Sequence, residues 1–165
     1  MMRKNKILYL HGLESPQGGP KVDFLTTQCF VHAPEMDYTR HDIFDFLVKT
    51  VNEFKPDYII GSSMGGYTAF VLGALYKIPV LAFNPALHSR TIEPNYPDFV
   101  KQHIPDKFTV VIGEEDTLIN GQKTLDYLKD NIKNSYVNWD VKHIKKMGHR
   151  VPLSVFCDMY NKIIK

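Results

Sequence analysis

Tyr58-Ile59-Ile60-Gly61-Ser62-Ser63-Met64-Gly65-Gly66-Tyr67-Thr68-Ala69 runs from a short apolar segment, through a turn of glycine and serine, into a second apolar stretch. Its middle fits G-x-S-x-G, with Ser63 at the centre and Ser62 off it. A strand leading in and a helix of small residues leading out make this the pattern of a nucleophile elbow. The sharp turn strains the backbone of the central residue, and the flanking glycines leave room for it. The serine hydroxyl is thereby exposed at a helix N-terminus, where the dipole favours developing negative charge. A Gly/Ser loop that merely caps a helix would carry similar letters, because serine is a good N-cap. The motif therefore needs support from elsewhere in the chain.

Working outward, short β-branched apolar runs alternate with longer helical patterns. Strands are expected at Ile7–Leu10, Cys29–His32, Tyr58–Ile60, Pro79–Phe83, Phe108–Ile112 and Trp139–Ile144. A short helix is expected from Pro20, covering Val22, Phe24 and Leu25. The clearest amphipathic helix carries Ile43, Phe44, Leu47, Val48, Val51 and Phe54 at i, i+3, i+4 spacing. Further helices are expected over Met64–Leu75, Gln122–Ile132 and Leu153–Ile164. Strands separated by helices and short loops imply an α/β fold, with a mostly parallel sheet of about six strands and helices on both faces. No repeat or linker divides the chain, so residues 1–165 are expected to form a single domain of a compact α/β-hydrolase type.

A serine hydroxyl is a weak nucleophile at neutral pH and needs a base. After the last expected strand stands Gly148-His149-Arg150, and after the one before it Gly113-Glu114-Glu115-Asp116. The chain order Ser63, Asp116, His149 is the order of the α/β-hydrolase triad. Both loops follow the carboxyl ends of strands, where open α/β sheets place their sites. Asp116 is preferred as the acid because it lies farthest into its loop, with Glu114 and Glu115 as alternatives. His149 would take the Ser63 proton while Asp116 holds the imidazole tautomer. Oxyanion donors are expected from the backbone N–H groups of Met64 and Leu13, with Gly12 allowing close approach. His11 is read as a brace for that loop.

The 165 residues carry a net charge of +2, too small to point to nucleic acid or an anionic membrane as partner. Two cysteines, Cys29 and Cys157, make no disulfide framework and are read as reduced packing residues. The apolar run after the basic start is too short for a signal-peptide core, and no stretch is long enough to span a membrane. A cytoplasmic location is the default expectation. No histidine or cysteine spacing suggests a metal.

His11-Gly12-Leu13-Glu14-Ser15-Pro16, Gly61-Ser62-Ser63-Met64-Gly65-Gly66-Tyr67, Asn84-Pro85-Ala86, Gly113-Glu114-Glu115-Asp116 and Gly148-His149 together resemble the YqiA-like family of small α/β-hydrolase esterases. The resemblance implies esterase or thioesterase action on small-molecule acyl substrates without a cofactor. It also implies Ser63 as nucleophile, Asp116 as acid and His149 as base.

Residues 86–105 are expected to form a short cap, in which Leu87, Tyr96 and Phe99 would bind substrate beside Gly12; packing of the same side chains on the sheet is the alternative. Arg90 and Arg150 are candidates for an anionic part of the substrate. Amidase or peptidase action through the same triad, and a ligand-sensing role with little turnover, are the rival functions. The sequence leaves the oligomeric state open.

Overall fold

Among the described residues, every strand runs the same way. A computed structural model describes residues 4–101 and 103–165. Its strands are β1 (Lys6–Leu10), β2 (Phe30–His32), β3 (Tyr58–Ser62), β4 (Val80–Phe83), β5 (Lys107–Gly113) and β6 (Asn138–Ile144). The helices are α1 (Pro20–Gln28), α2 (Ile43–Phe54), α3 (Met64–Tyr76), α4 (Gly121–Asn131) and α5 (Leu153–Ile163). The sheet order is β2-β1-β3-β4-β5-β6, with all five ladders parallel.

Alternation along the strands explains why helices cover both faces. Leu8, Leu10, Ile59, Val80, Ala82 and Val110 face a core shared with Leu47 and Val51 of α2, Phe70 of α3 and Leu128 of α4. Ile7, Tyr9, Ile60, Leu81, Phe83 and Val111 face the other way, toward Leu25 of α1 and Phe156 of α5. Central strands buried on both sides read as continuous apolar runs, which is why β1, β3 and β4 were legible as short blocks.

Element ends fall within about two residues of expectation, and the difference at Cys29 has a clear cause. Cys29 ends α1 instead of opening β2, because its N–H and its thiol both donate to the Leu25 carbonyl. Residues 86–105 hold no helix beyond the 3-10 turn Asp98–Val100, and residue 102 lies outside the described part. Both cysteines are free thiols, Cys29 buried and Cys157 half-buried. Among the described residues, no helix is long and apolar enough to cross a membrane.

The sheet order reverses direction between β1 and β3: the chain moves outward from β1 to β2, then returns to add β3 on the other side. Loops leaving β1 and β3 therefore diverge and open a crevice at their carboxyl ends.

Candidate active site

Ser63 sits in that crevice, between the end of β3 and the start of α3, at φ 55° and ψ −116°. This is a backbone conformation that costs a residue with a Cβ about 1–3 kcal/mol. Three hydrogen bonds hold it there. The Ser63 N–H donates to the Phe83 carbonyl at 2.9 Å, and its carbonyl accepts from Tyr67 N–H at 3.1 Å and Ala86 N–H at 3.0 Å. Glycine is required at 65 because a Cβ there would run into the Leu10 carbonyl of β1. That close contact is what lets α3 start directly beside the loop that leaves β1.

His149 arrives from the loop after β6, and Asp116 from the loop after β5. The imidazole Nε2 lies 3.0 Å from Ser63 Oγ, and Nδ1 lies 2.8 Å from Asp116 Oδ2. A carboxylate only accepts, so Nδ1 carries the proton and the Nε2 lone pair faces the serine hydroxyl. The other carboxylate oxygen, Oδ1, accepts from the N–H groups of Leu118 at 2.8 Å and Ile119 at 2.9 Å. The Asp116 side chain is fully shielded while the His149 side chain stays 24% exposed, so the carboxylate is fixed and the imidazole can still meet a ligand.

The loop after β1 is braced by His11. Its Nε2 accepts from Met36 N–H at 2.9 Å, which leaves the proton on Nδ1 to donate to the Gly12 carbonyl at 2.8 Å. Tyr38 Oη donates to the His11 carbonyl. Both ring nitrogens of this buried histidine are thus engaged, Nδ1 within the loop that carries Leu13 and Nε2 with Met36 between β2 and α2.

A cavity of about 640 Å³ opens onto Ser63 and His149. The β1–α1 loop, including Gly12 and Leu13, makes one wall together with Lys21 of α1, and Arg150, Val151 and Leu153 make another, with Leu118 beside them. Leu87, Tyr96 and Phe99 do not line it. Leu87 and Tyr96 are buried in the α2–α3 side of the core, where Tyr96 Oη meets Thr68 Oγ1 at 2.8 Å. Phe99 stands 64% exposed. Tyr96 packs between Tyr67 of α3 and Phe44 of α2, so the burial of Leu87 and Tyr96 reports core packing and not a groove. Arg90 is occupied there as well: it pairs with Glu93 at 2.9 Å, donates to the Ala86 and Leu87 carbonyls, and lies over the Tyr67 ring. Arg150 does line the cavity, as does Lys21, which the sequence did not single out. Burial lowers the Lys21 pKa. Among the described residues, no cluster of three or more histidine, cysteine or acidic side chains could hold a metal ion.

Several solved structures with the same architecture are described as hydrolases. A monoacylglycerol lipase from Paleococcus ferrophilus superposes with a TM-score of 0.67 at 16% identity, covering 88% of this chain and 86% of the lipase. Acyl-protein thioesterase 2 from Zea mays gives 0.63 at 16% identity, covering 98% of this chain and 94% of that one. A serine hydrolase without a lid from Xanthomonas campestris gives 0.60 at 14% identity, covering 97% of this chain and 79% of that one. At such identities the likeness establishes the α/β-hydrolase fold. No curated protein matches the sequence. The matching family model covers the β1 loop and the elbow but stops short of Asp116 and His149. Over residues 6–95, more than half of its length, the chain matches Uncharacterised protein family UPF0227, the YqiA family, and it belongs to that family.

Proposed function

We propose that this protein is a serine esterase or thioesterase that cleaves acyl substrates through an acyl-enzyme on Ser63. The observation that carries the reading is the continuous relay from Ser63 Oγ through His149 to Asp116, at 3.0 and 2.8 Å, at the mouth of a cavity. His149 Nε2 accepts the Ser63 proton as Oγ attacks the carbonyl carbon. The resulting oxyanion is held by the N–H groups of Met64 and Leu13. Collapse of the tetrahedral intermediate expels the alcohol or thiol, which takes the proton back from His149. Water then repeats the sequence, with His149 as its base, and releases the acid.

The cavity walls suit an acyl chain of modest length. Leu13, Val151 and Leu153 are apolar, and Leu118 at the mouth is 68% exposed. Descriptions of the structural neighbours as a lipase and a thioesterase agree with acyl chemistry.

The test is hydrolysis of 4-nitrophenyl esters and acyl thioesters of graded chain length by the parent and by Ser63→Ala. The parent should show steady turnover, and the variant should lose several orders of magnitude while keeping its fold, since removing a triad member typically does so. A single burst followed by silence would favour a ligand sensor. Equal turnover of amides would favour an amidase, and near-normal activity of Ser63→Ala would end the proposal.

A further inference from the structure

The four residues Phe83 to Ala86, at the carboxyl end of β4, touch the carriers of all three triad groups. The Phe83 carbonyl and Ala86 N–H grip the backbone of Ser63. Asn84, between them, does something different. Its side-chain carbonyl Oδ1 accepts from Gly113 N–H at 2.8 Å, at the end of β5, where the Asp116 loop begins. Its amide Nδ2 donates to the carbonyls of Gly148 and His149, both at 3.1 Å. Partner chemistry fixes the orientation of this amide: a backbone N–H must meet the oxygen, and two carbonyls must meet the nitrogen. The residue is buried, 2% exposed, and its own N–H donates to Val111 O at 2.8 Å.

We propose that Asn84 is a positioning residue, whose amide clamps the backbone of His149 to the end of β5 and so sets the distance from Nε2 to Ser63 Oγ. The inference rests on Ser63 being the nucleophile and His149 its base. Among the described residues, the Asn84 amide is what holds the Gly148 and His149 carbonyls; the loop after β6 is also tied by the Glu115 N–H to the Met147 carbonyl at 3.0 Å, two residues short of His149, and it springs from an edge strand whose residues are half-buried or exposed. Asparagine also suits the backbone at this point. Asn84 has φ 41°, a left-handed value that asparagine tolerates better than most residues with a side chain. Aspartate would keep the acceptor for Gly113 but set a carboxylate oxygen against two carbonyls. Glycine would keep the backbone angle and remove the clamp.

The experiment compares the parent, Asn84→Gly and Asn84→Asp. Active sites are counted by a fluorophosphonate, the fold is checked by circular dichroism, and 4-nitrophenyl butyrate turnover is followed across pH. Misplacing a catalytic group by about 1 Å costs on the order of 10²-fold in rate. Both folded variants should therefore lose about that factor in kcat per labelled site, while KM stays within a few-fold because Asn84 does not line the cavity. The acid limb of the Asn84→Asp profile should move to higher pH, because the new carboxylate stabilises the imidazolium. Folded variants with kcat per site within threefold of the parent would overturn the proposal. Loss of fold in both variants would overturn it too, since the amide would then hold the sheet and not the base. A parent that neither labels nor turns over would instead sink the nucleophile assignment on which the inference stands.

Discussion

Replacing Asp116 by asparagine should disable the base without disturbing the fold, and the size of the loss follows from the hydrogen bonds. Oδ1 of Asp116 accepts two backbone N–H groups, from Leu118 and Ile119, while Oδ2 faces His149 Nδ1. An asparagine amide keeps its oxygen on the two N–H donors, which turns its nitrogen toward the imidazole. His149 must then accept at Nδ1 and carry its proton on Nε2, where it can no longer take one from Ser63. Recovering the productive tautomer requires flipping the amide against one buried N–H donor, Ile119, and one part-buried donor, Leu118. Leaving the buried donor unsatisfied costs about 1–3 kcal/mol and the part-buried one less, so the flip costs about 1.5–5 kcal/mol. At about 1.4 kcal/mol per decade, kcat should fall by about one to three and a half orders of magnitude. KM should hold, because Asp116 does not line the cavity. The assay is steady-state ester hydrolysis, with thermal unfolding to show that the isosteric variant keeps its stability. A fall of less than tenfold in a folded variant would refute the reasoning, and would make Glu114 or Glu115 the acid to test next.

Two other outcomes follow from cavity and burial. Leu118→Ala and Leu153→Ala should raise KM severalfold for longer acyl esters and leave acetyl esters little changed, whereas Phe99→Ala should do neither; an effect confined to Phe99 in a chain-length series would return the acyl site to residues 86–105. Burial pushes the phenols of Tyr9, Tyr67 and Tyr160 up to about 12. The unfolded chain loses these protons first, so their contribution to stability is complete below about pH 10 and is lost as pH rises toward about 12. Tyrosinate absorbance recorded alongside circular dichroism should show these rings ionising together with unfolding, and ionisation near pH 10 with the fold intact would contradict it.

Chain order made the relay legible. Ser63 follows β3 directly, Asp116 and His149 lie in the loops after β5 and β6, and in a parallel sheet all strand ends share one edge. Glycine spacing around Ser63 also has a local cause, the contact of Gly65 with β1. The cavity wall was not legible in the same way. Leu87 and Tyr96 are apolar because they are buried, but a letter does not say whether it is buried against a helix or beside a ligand. Here the core takes them. Lys21 and Leu153 open two helices far apart in sequence, and only the docking of α1 against α5 brings them to one cavity. Asn84 is hidden for a similar reason, since its amide reaches residues 29, 64 and 65 positions away.

Labelling the parent protein with a fluorophosphonate and mapping the modified peptide bears most directly on whether Ser63 is an activated nucleophile beside a formed oxyanion hole. Stoichiometric modification of Ser63, abolished in Ser63→Ala and strongly slowed in His149→Ala, is the expected result. No labelling, or labelling of Ser62 or another residue in its place, would contradict it.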